Sequence, residues 1–267
     1  MAPSAPHAMN VLTDPHARLV IGHRGNPAHA PENTLESFAQ AVSLGVDALE
    51  LDVRLTRDRA PVVIHDPTLA RTTNRSAAVA DLMLDEIRRA DAGAWFSPDS
   101  GASFPYRGRG LTVPTFAEVL AAFPRMPLLI EVKVPEAALP IGAAIAGANA
   151  ADRCVVASMQ GSAVAPLRPS FRTGASAGEV ARLLGLIVRG RVATTLPYDA
   201  LCIPPWYYGL PLPVGALARA ARPAGVVTHV WTIDDAATAK RLWREGVQGI
   251  VTNDPAPILE ARVELRF

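Results

Sequence analysis

The chain has 267 residues, of which 49 % are hydrophobic and 19 % charged, and its formal net charge is +1. That composition supports a large buried core and excludes a disordered chain. With no run of Lys or Arg, it also excludes a nucleic-acid footprint.

The first twenty residues lack a basic start followed by an apolar block, so no signal peptide is expected. The longest run of small apolar residues, "AALPIGAAIAGANAA", is broken by Pro140, Gly142, Gly147 and Asn149. It falls short of the ~20 residues a membrane span needs. A cytoplasmic protein without stable membrane association is expected. Cys154 and Cys202 lie far apart in apolar runs and read as buried free thiols.

Short β-branched runs occur at 18–23, 47–53, 61–66, 128–133, 154–158, 171–176, 200–204, 226–232 and 249–254, with helical patterns between many of them. Such alternation predicts a parallel sheet with crossover helices. The first run ends on His23 and Arg24, groups that prefer water, so its tip should face a site. Gly25 then lets the chain turn tightly. A helix follows over 34–44, with Asn33 as its cap and Glu36 as the capping-box partner. Leu35, Phe38, Ala39 and Val42 form its apolar face, and Gly45 stops it.

Only nine residues separate Asp52 from Val62. A parallel crossover needs about a dozen or more, so 61–66 should fold back as a hairpin. A turn between Asp58 and Arg59 sets Asp52 opposite His65. Removing this run leaves eight strands for a closed barrel. The stretch 67–113 is long, polar and rich in small residues, and fits an insertion over the C-terminal face. Later, Asp234 or Asp235 caps a helix that Gly246 closes. Asp254 followed by Pro255 suits another helix start. His229, two residues before Trp231, suits packing or support of the site. The predicted architecture is a single TIM (β/α)8 barrel domain over 1–267, with an extra hairpin and the polar insertion 67–113.

Strand residues two apart share a face, so Glu50 points with Asp52, and Glu131 with Lys133. Three carboxylates at one barrel mouth repel each other. Either a divalent cation joins them, with oxygen ligands favouring Mg²⁺ or Ca²⁺ over zinc, or Arg24, Lys133 and Arg54 pair with them. His23 and His65 reach the same mouth and suit a general acid and base. Arg24 and Lys133 add positive charge, which suits an anionic substrate such as a phosphate.

The segments "GHRG…PENTLESFAQAVSLGVDALELDVRLTRD…PVVIHDPTLARTTN", with "IEVK", "VWTI" and "GIVTNDP" following in order, resemble the glycerophosphodiester phosphodiesterase family. The resemblance implies a TIM barrel and metal-dependent cleavage of glycerophosphodiesters to glycerol 3-phosphate and an alcohol. It implies Glu50, Asp52 and Glu131 as metal ligands, His23 and His65 as the acid–base pair, Arg24 as a phosphate contact, and Trp231 as a wall of the substrate pocket. The chain departs from the family at Asp58-Arg59, where Asp-Gly is usual, and at "VASM", where Ser-Phe is common. Two other readings share the scaffold: a phospholipase D or lyase that closes a cyclic phosphate, and a phosphate-binding protein without catalysis.

Overall fold

The computed structural model describes residues 10–265. The first nine residues of the stretch read for a leader lie outside it.

The strands run β1 Leu19–His23, β2 Ala48–Leu55, β3 Pro61–Val63, β4 Leu128–Val132, β5 Cys154–Ala157, β6 Arg172–Thr173, β7 Ala200–Ile203, β8 Trp206–Tyr207, β9 Leu210–Pro211, β10 Val227–Val230 and β11 Gly249–Thr252. Eight of them are parallel and neighbour each other in the order β6-β5-β4-β2-β1-β11-β10-β7. Between β6 and β7 a single bridge, Gly174 to Ala200, nearly closes the ring. This is the TIM barrel that the alternation predicts. The weak point of the closure is β6, where the run 171–176 yields only two residues of strand.

The inside of the barrel is filled by Leu19, Ile21, Leu129, Val155, Ala200, Val227 and Val251, and Leu12 joins the same cluster. His229 is fully buried, and its Nε2 lies 2.9 Å from the Leu12 carbonyl. Burial pushes the imidazole down to about 4, so it is a neutral packing group. A Cβ at Gly249 would lie 2.2 Å from His229 Nδ1, which is why that strand begins on glycine.

β3 returns antiparallel to β2, as the short spacing requires. The register differs by one from the predicted pairing: Val53 faces Val63, and the Ile64 N–H donates to the Asp52 carbonyl at 2.9 Å. Ile64, not His65, therefore sits across from Asp52. The cause is the turn. Thr56 N–H donates to the Ala60 carbonyl at 3.1 Å, enclosing a three-residue loop rather than a two-residue one. Its last residue, Arg59, is left-handed with φ 64°, the usual geometry of such loops. The extra residue moves His65 beyond the strand end.

The insertion packs its own small core. Leu69, Val79, Ile87, Ala90, Ala92 and Val113 bury against Val62 and Ile64 of the hairpin. The helix Leu35–Leu44 is capped by Thr34, whose side chain accepts from Ser37 N–H, and not by Asn33. It buries Ser37, Phe38 and Ala41, whereas Leu35 and Ala39 are exposed. Asp235 caps Ala236–Arg244. Pro255–Glu264 begins after Asp254 without a side-chain capping bond. The ribbon β8–β9 has no counterpart in the predicted elements; it turns through Tyr208 and Gly209, both at positive φ. Cys154 and Cys202 are free and buried. Among the described residues, no helix is long and apolar enough to cross a membrane.

Arg59 holds a backbone region that costs a non-glycine residue about 1 kcal/mol. Arg59→Gly should relieve it and raise Tm by about 2 °C for a chain of this size. Calorimetry checks this, and an unchanged or lower Tm would show that the turn stores no such strain.

Candidate active site

The site forms at the C-terminal ends of β1, β2 and β4. The parallel register sets His23 beside Glu50 and Asp52 beside Glu131. After His23 the chain turns through Arg24 and Gly25, both at positive φ. A Cβ at Gly25 would lie 2.3 Å from Ser37 Oγ, so the turn and the helix approach require glycine there. The turn aims Arg24 N–H at the Glu50 carboxylate, 3.0 Å away.

Oxygens of Glu50, Asp52 and Glu131 lie within 4.8 Å of one another, the one such cluster among the described residues. Lys133 Nζ bridges two of them, 2.9 Å from Asp52 Oδ1 and 2.8 Å from Glu131 Oε2. Arg24 Nε is 3.1 Å from Asp52 Oδ2, and Asn33 Nδ2 donates to that oxygen at 2.9 Å. Burial alone would raise the Asp52 carboxyl, but Lys133 and Arg24 bring it below its ordinary value. The side-chain charges of Arg24 and Lys133 act on Glu50 only from a distance and offset little of its burial. Burial, then the charges of Asp52 and Glu131, hold it well above its ordinary value. Of the predicted ion-pair partners, Arg24 and Lys133 are present. Arg54 instead donates from Nε to the His65 carbonyl at 2.7 Å.

Two cations therefore face three carboxylates. The remaining negative charge, with all-oxygen donors, fits a divalent metal of the Mg²⁺ or Ca²⁺ type.

His23 Nδ1 lies 2.7 Å from Asn253 Oδ1. Asn253 is fixed in turn by Asp234, which accepts from its Nδ2 at 2.9 Å and its backbone N–H at 2.7 Å. The amide nitrogen is thus engaged, its oxygen faces the imidazole, and Nδ1 must carry the proton. That leaves the Nε2 lone pair in the cavity, 3.9 Å from Glu50 Oε2. Burial, then Arg24, lowers the His23 pKa, which favours the neutral ring. His65 is held differently: its Nδ1 meets Asp66 Oδ1 at 2.6 Å.

His23, Arg24, Glu50, His65, Glu131 and Lys133 line one cavity, with Trp231, Met159 and Cys202 among its apolar walls. Asp52 lies fully buried against Lys133 and Arg24. The predicted site residues thus gather at one place, and His65 reaches it despite the shifted hairpin register. Sequence reasoning missed Asn33, Asn253, Asp66 and Glu32, whose Oε1 accepts from Arg24 at 2.8 Å. Asn33 carried a signal of another kind: with φ 56° it occupies the left-handed region that Asn tolerates, which frees its side chain for Asp52.

The barrel and its mouth define a TIM-barrel enzyme with a carboxylate cluster flanked by two imidazoles. The chain belongs to the glycerophosphoryl diester phosphodiesterase family, whose pattern matches residues 23–257. A glycerophosphodiester phosphodiesterase of Caldanaerobacter subterraneus subsp. tengcongensis is 32 % identical over 251 residues, covering 90 % of this chain and 96 % of the relative. The crystal structure of a glycerophosphodiester phosphodiesterase from Agrobacterium tumefaciens is similar at a TM-score of 0.73 and 26 % identity, covering 92 % of this chain and 99 % of that one. An Oleispira antarctica phosphodiesterase in complex with the product sn-glycerol-3-phosphate is similar at a TM-score of 0.73 and 25 % identity, covering 92 % of this chain and 97 % of that one.

Asn253→Ala removes the acceptor that fixes the His23 ring. The expected result is a loss of about 1 kcal/mol of stability, the net worth of one hydrogen bond, and a His23 ring that populates both neutral tautomers. Nitrogen NMR of the imidazole reads this directly. An unchanged spectrum would show that Asn253 does not set the ring.

Proposed function

We propose that the protein hydrolyses glycerophosphodiesters to glycerol 3-phosphate and an alcohol, with a divalent metal held by Glu50, Asp52 and Glu131. The observation that carries this reading is a cluster of three carboxylates, two of which line one cavity together with both histidines. The family membership supports it, as does the product that the Oleispira antarctica phosphodiesterase holds. Mg²⁺ or Ca²⁺, when bound, polarises the phosphoryl oxygens and stabilises the charge that builds there. Arg24 and Lys133 hold the anionic phosphate, and Trp231 walls the substrate pocket.

Cleavage needs a proton removed from the attacking water and a proton given to the departing alkoxide. His23 suits the role of base, since it is neutral and its Nε2 lone pair faces the cavity. His65 then serves as the acid, protonating the oxygen whose bond to phosphorus breaks. The products are a phosphate monoester and a free alcohol, and the proton count closes over one turnover.

Chelation with EDTA should abolish turnover, and Mg²⁺ or Ca²⁺ should restore it. Full activity in exhaustively chelated enzyme would remove the metal from the reaction. Phosphorus NMR should show glycerol 3-phosphate as the end product, and accumulation of a cyclic phosphate would point to the lyase reading instead.

His23→Ala and His65→Ala should each lower kcat by at least about 10²-fold, with a smaller change in KM because the phosphate contacts remain. On a nitrophenyl ester, whose leaving group needs no proton, His65→Ala should recover substantially and His23→Ala should not. The opposite pattern would exchange the two roles, and near wild-type turnover by either variant would defeat that residue's part.

A further inference from the structure

The insertion supplies one charged residue to which this chemistry gives no part. Arg71 lies in the turn after the hairpin, anchored by buried Leu69 and Thr73; Thr73 N–H donates to the Leu69 carbonyl at 3.0 Å. Its guanidinium grips two carboxylates. Nε donates to Asp66 Oδ2 at 2.6 Å, and one terminal nitrogen donates to Asp66 Oδ1 at 3.2 Å and to Glu32 Oε1 at 2.8 Å. The other terminal nitrogen donates to Glu32 Oε2 at 2.6 Å. These bonds occupy all but one of the five N–H groups of an arginine. Arg71 is also not among the residues lining the main cavity. It is placed to hold protein groups rather than phosphate.

Each gripped carboxylate has a second partner at the site. Asp66 meets His65 Nδ1 at 2.6 Å, and Glu32 accepts from Arg24 at 2.8 Å. Arg24 continues to Asp52 at 3.1 Å. An unbroken polar chain thus runs from His65 through Asp66, Arg71, Glu32 and Arg24 to the carboxylate cluster.

We infer that Arg71 is a positioning residue: its one planar guanidinium fixes the two carboxylates that orient His65 and Arg24, and so sets both groups relative to each other. The inference rests on the roles given to His65 and Arg24 above.

The side chain of Arg71 is 47 % exposed, so its ion pairs contribute little to stability. Their effect is geometric. Without Arg71, Asp66 has no second hold and can turn toward solvent, taking the imidazole orientation with it. A misplacement of about 1 Å in such a site can lower the rate about 10²-fold. Lysine cannot substitute, because a compact ammonium lacks the planar fork that spans two carboxylates.

In metal-loaded enzyme, Arg71→Ala should lower kcat about 10²-fold, through His65, and raise KM several-fold, through Arg24, with Tm nearly unchanged. Arg71→Lys keeps the charge and should still lose at least about 10-fold in kcat; it serves as the test if the alanine variant does not fold. In a His65→Ala background, Arg71→Ala should change kcat by less than about threefold, because the group it acts through is gone. Nitrogen NMR of His65 should show an Nδ1–H held by Asp66 in the parent and a loss of that bonded Nδ1–H signature in the Arg71 variant. An equal kcat loss in both backgrounds, wild-type kcat in Arg71→Lys, or an unchanged His65 spectrum would each overturn the positioning role. Full activity of His65→Ala alone would instead defeat the acid–base reading, and the NMR comparison would still decide what Arg71 does to the ring.

Discussion

Three carboxylates at one barrel mouth, two of them buried, repel each other and lose hydration, and the surrounding structure answers that problem. The in-phase register of β1, β2 and β4 creates it by lining up Glu50, Asp52 and Glu131. Lys133 and Arg24 neutralise Asp52 and Glu131, and Asn33 adds a hydrogen bond to Asp52. Glu50 is left with a raised pKa, since Arg24 and Lys133 do not offset its burial and its two carboxylate neighbours. A carboxylate cluster so short of positive charge suits a divalent cation. Such a cation would reverse the local balance and favour an anion there.

The two histidines come to this site by different routes. His23 ends a barrel strand, and its ring is set by an amide from the end of β11, itself held by Asp234. His65 lies past the end of a hairpin, and its ring is set by the next residue in the chain. The barrel thus fixes one imidazole rigidly. The other depends on the hairpin and the insertion core that packs against Val62 and Ile64. The insertion core thus supports the segment that carries His65.

Much of this was legible in the sequence because it rests on local periodicity and chain length. Apolar runs separated by helical patterns specify a parallel barrel. Carboxylates two residues apart must share a strand face. Nine residues between Asp52 and Val62 cannot form a crossover. These constraints hold whatever the rest of the chain does, and they brought Glu50, Asp52, Glu131, His23 and His65 to one mouth without reference to coordinates.

The tertiary structure decided what depends on a single residue of offset or on partners far apart in the chain. A three-residue loop with Arg59 in the left-handed region moved the hairpin register by one; the usual Asp-Gly at Asp58-Arg59 points to positive φ there, but not to the length of the loop. Asn33 reads locally as a helix cap, yet Thr34 takes that place, and Asn33 turns to an aspartate 19 residues away. The bond between His23 and Asn253 spans 230 residues. Sequence patterning fixes which face a side chain takes, because that follows from backbone geometry. Which polar group meets which other is set only when the barrel closes and every buried donor must find an acceptor.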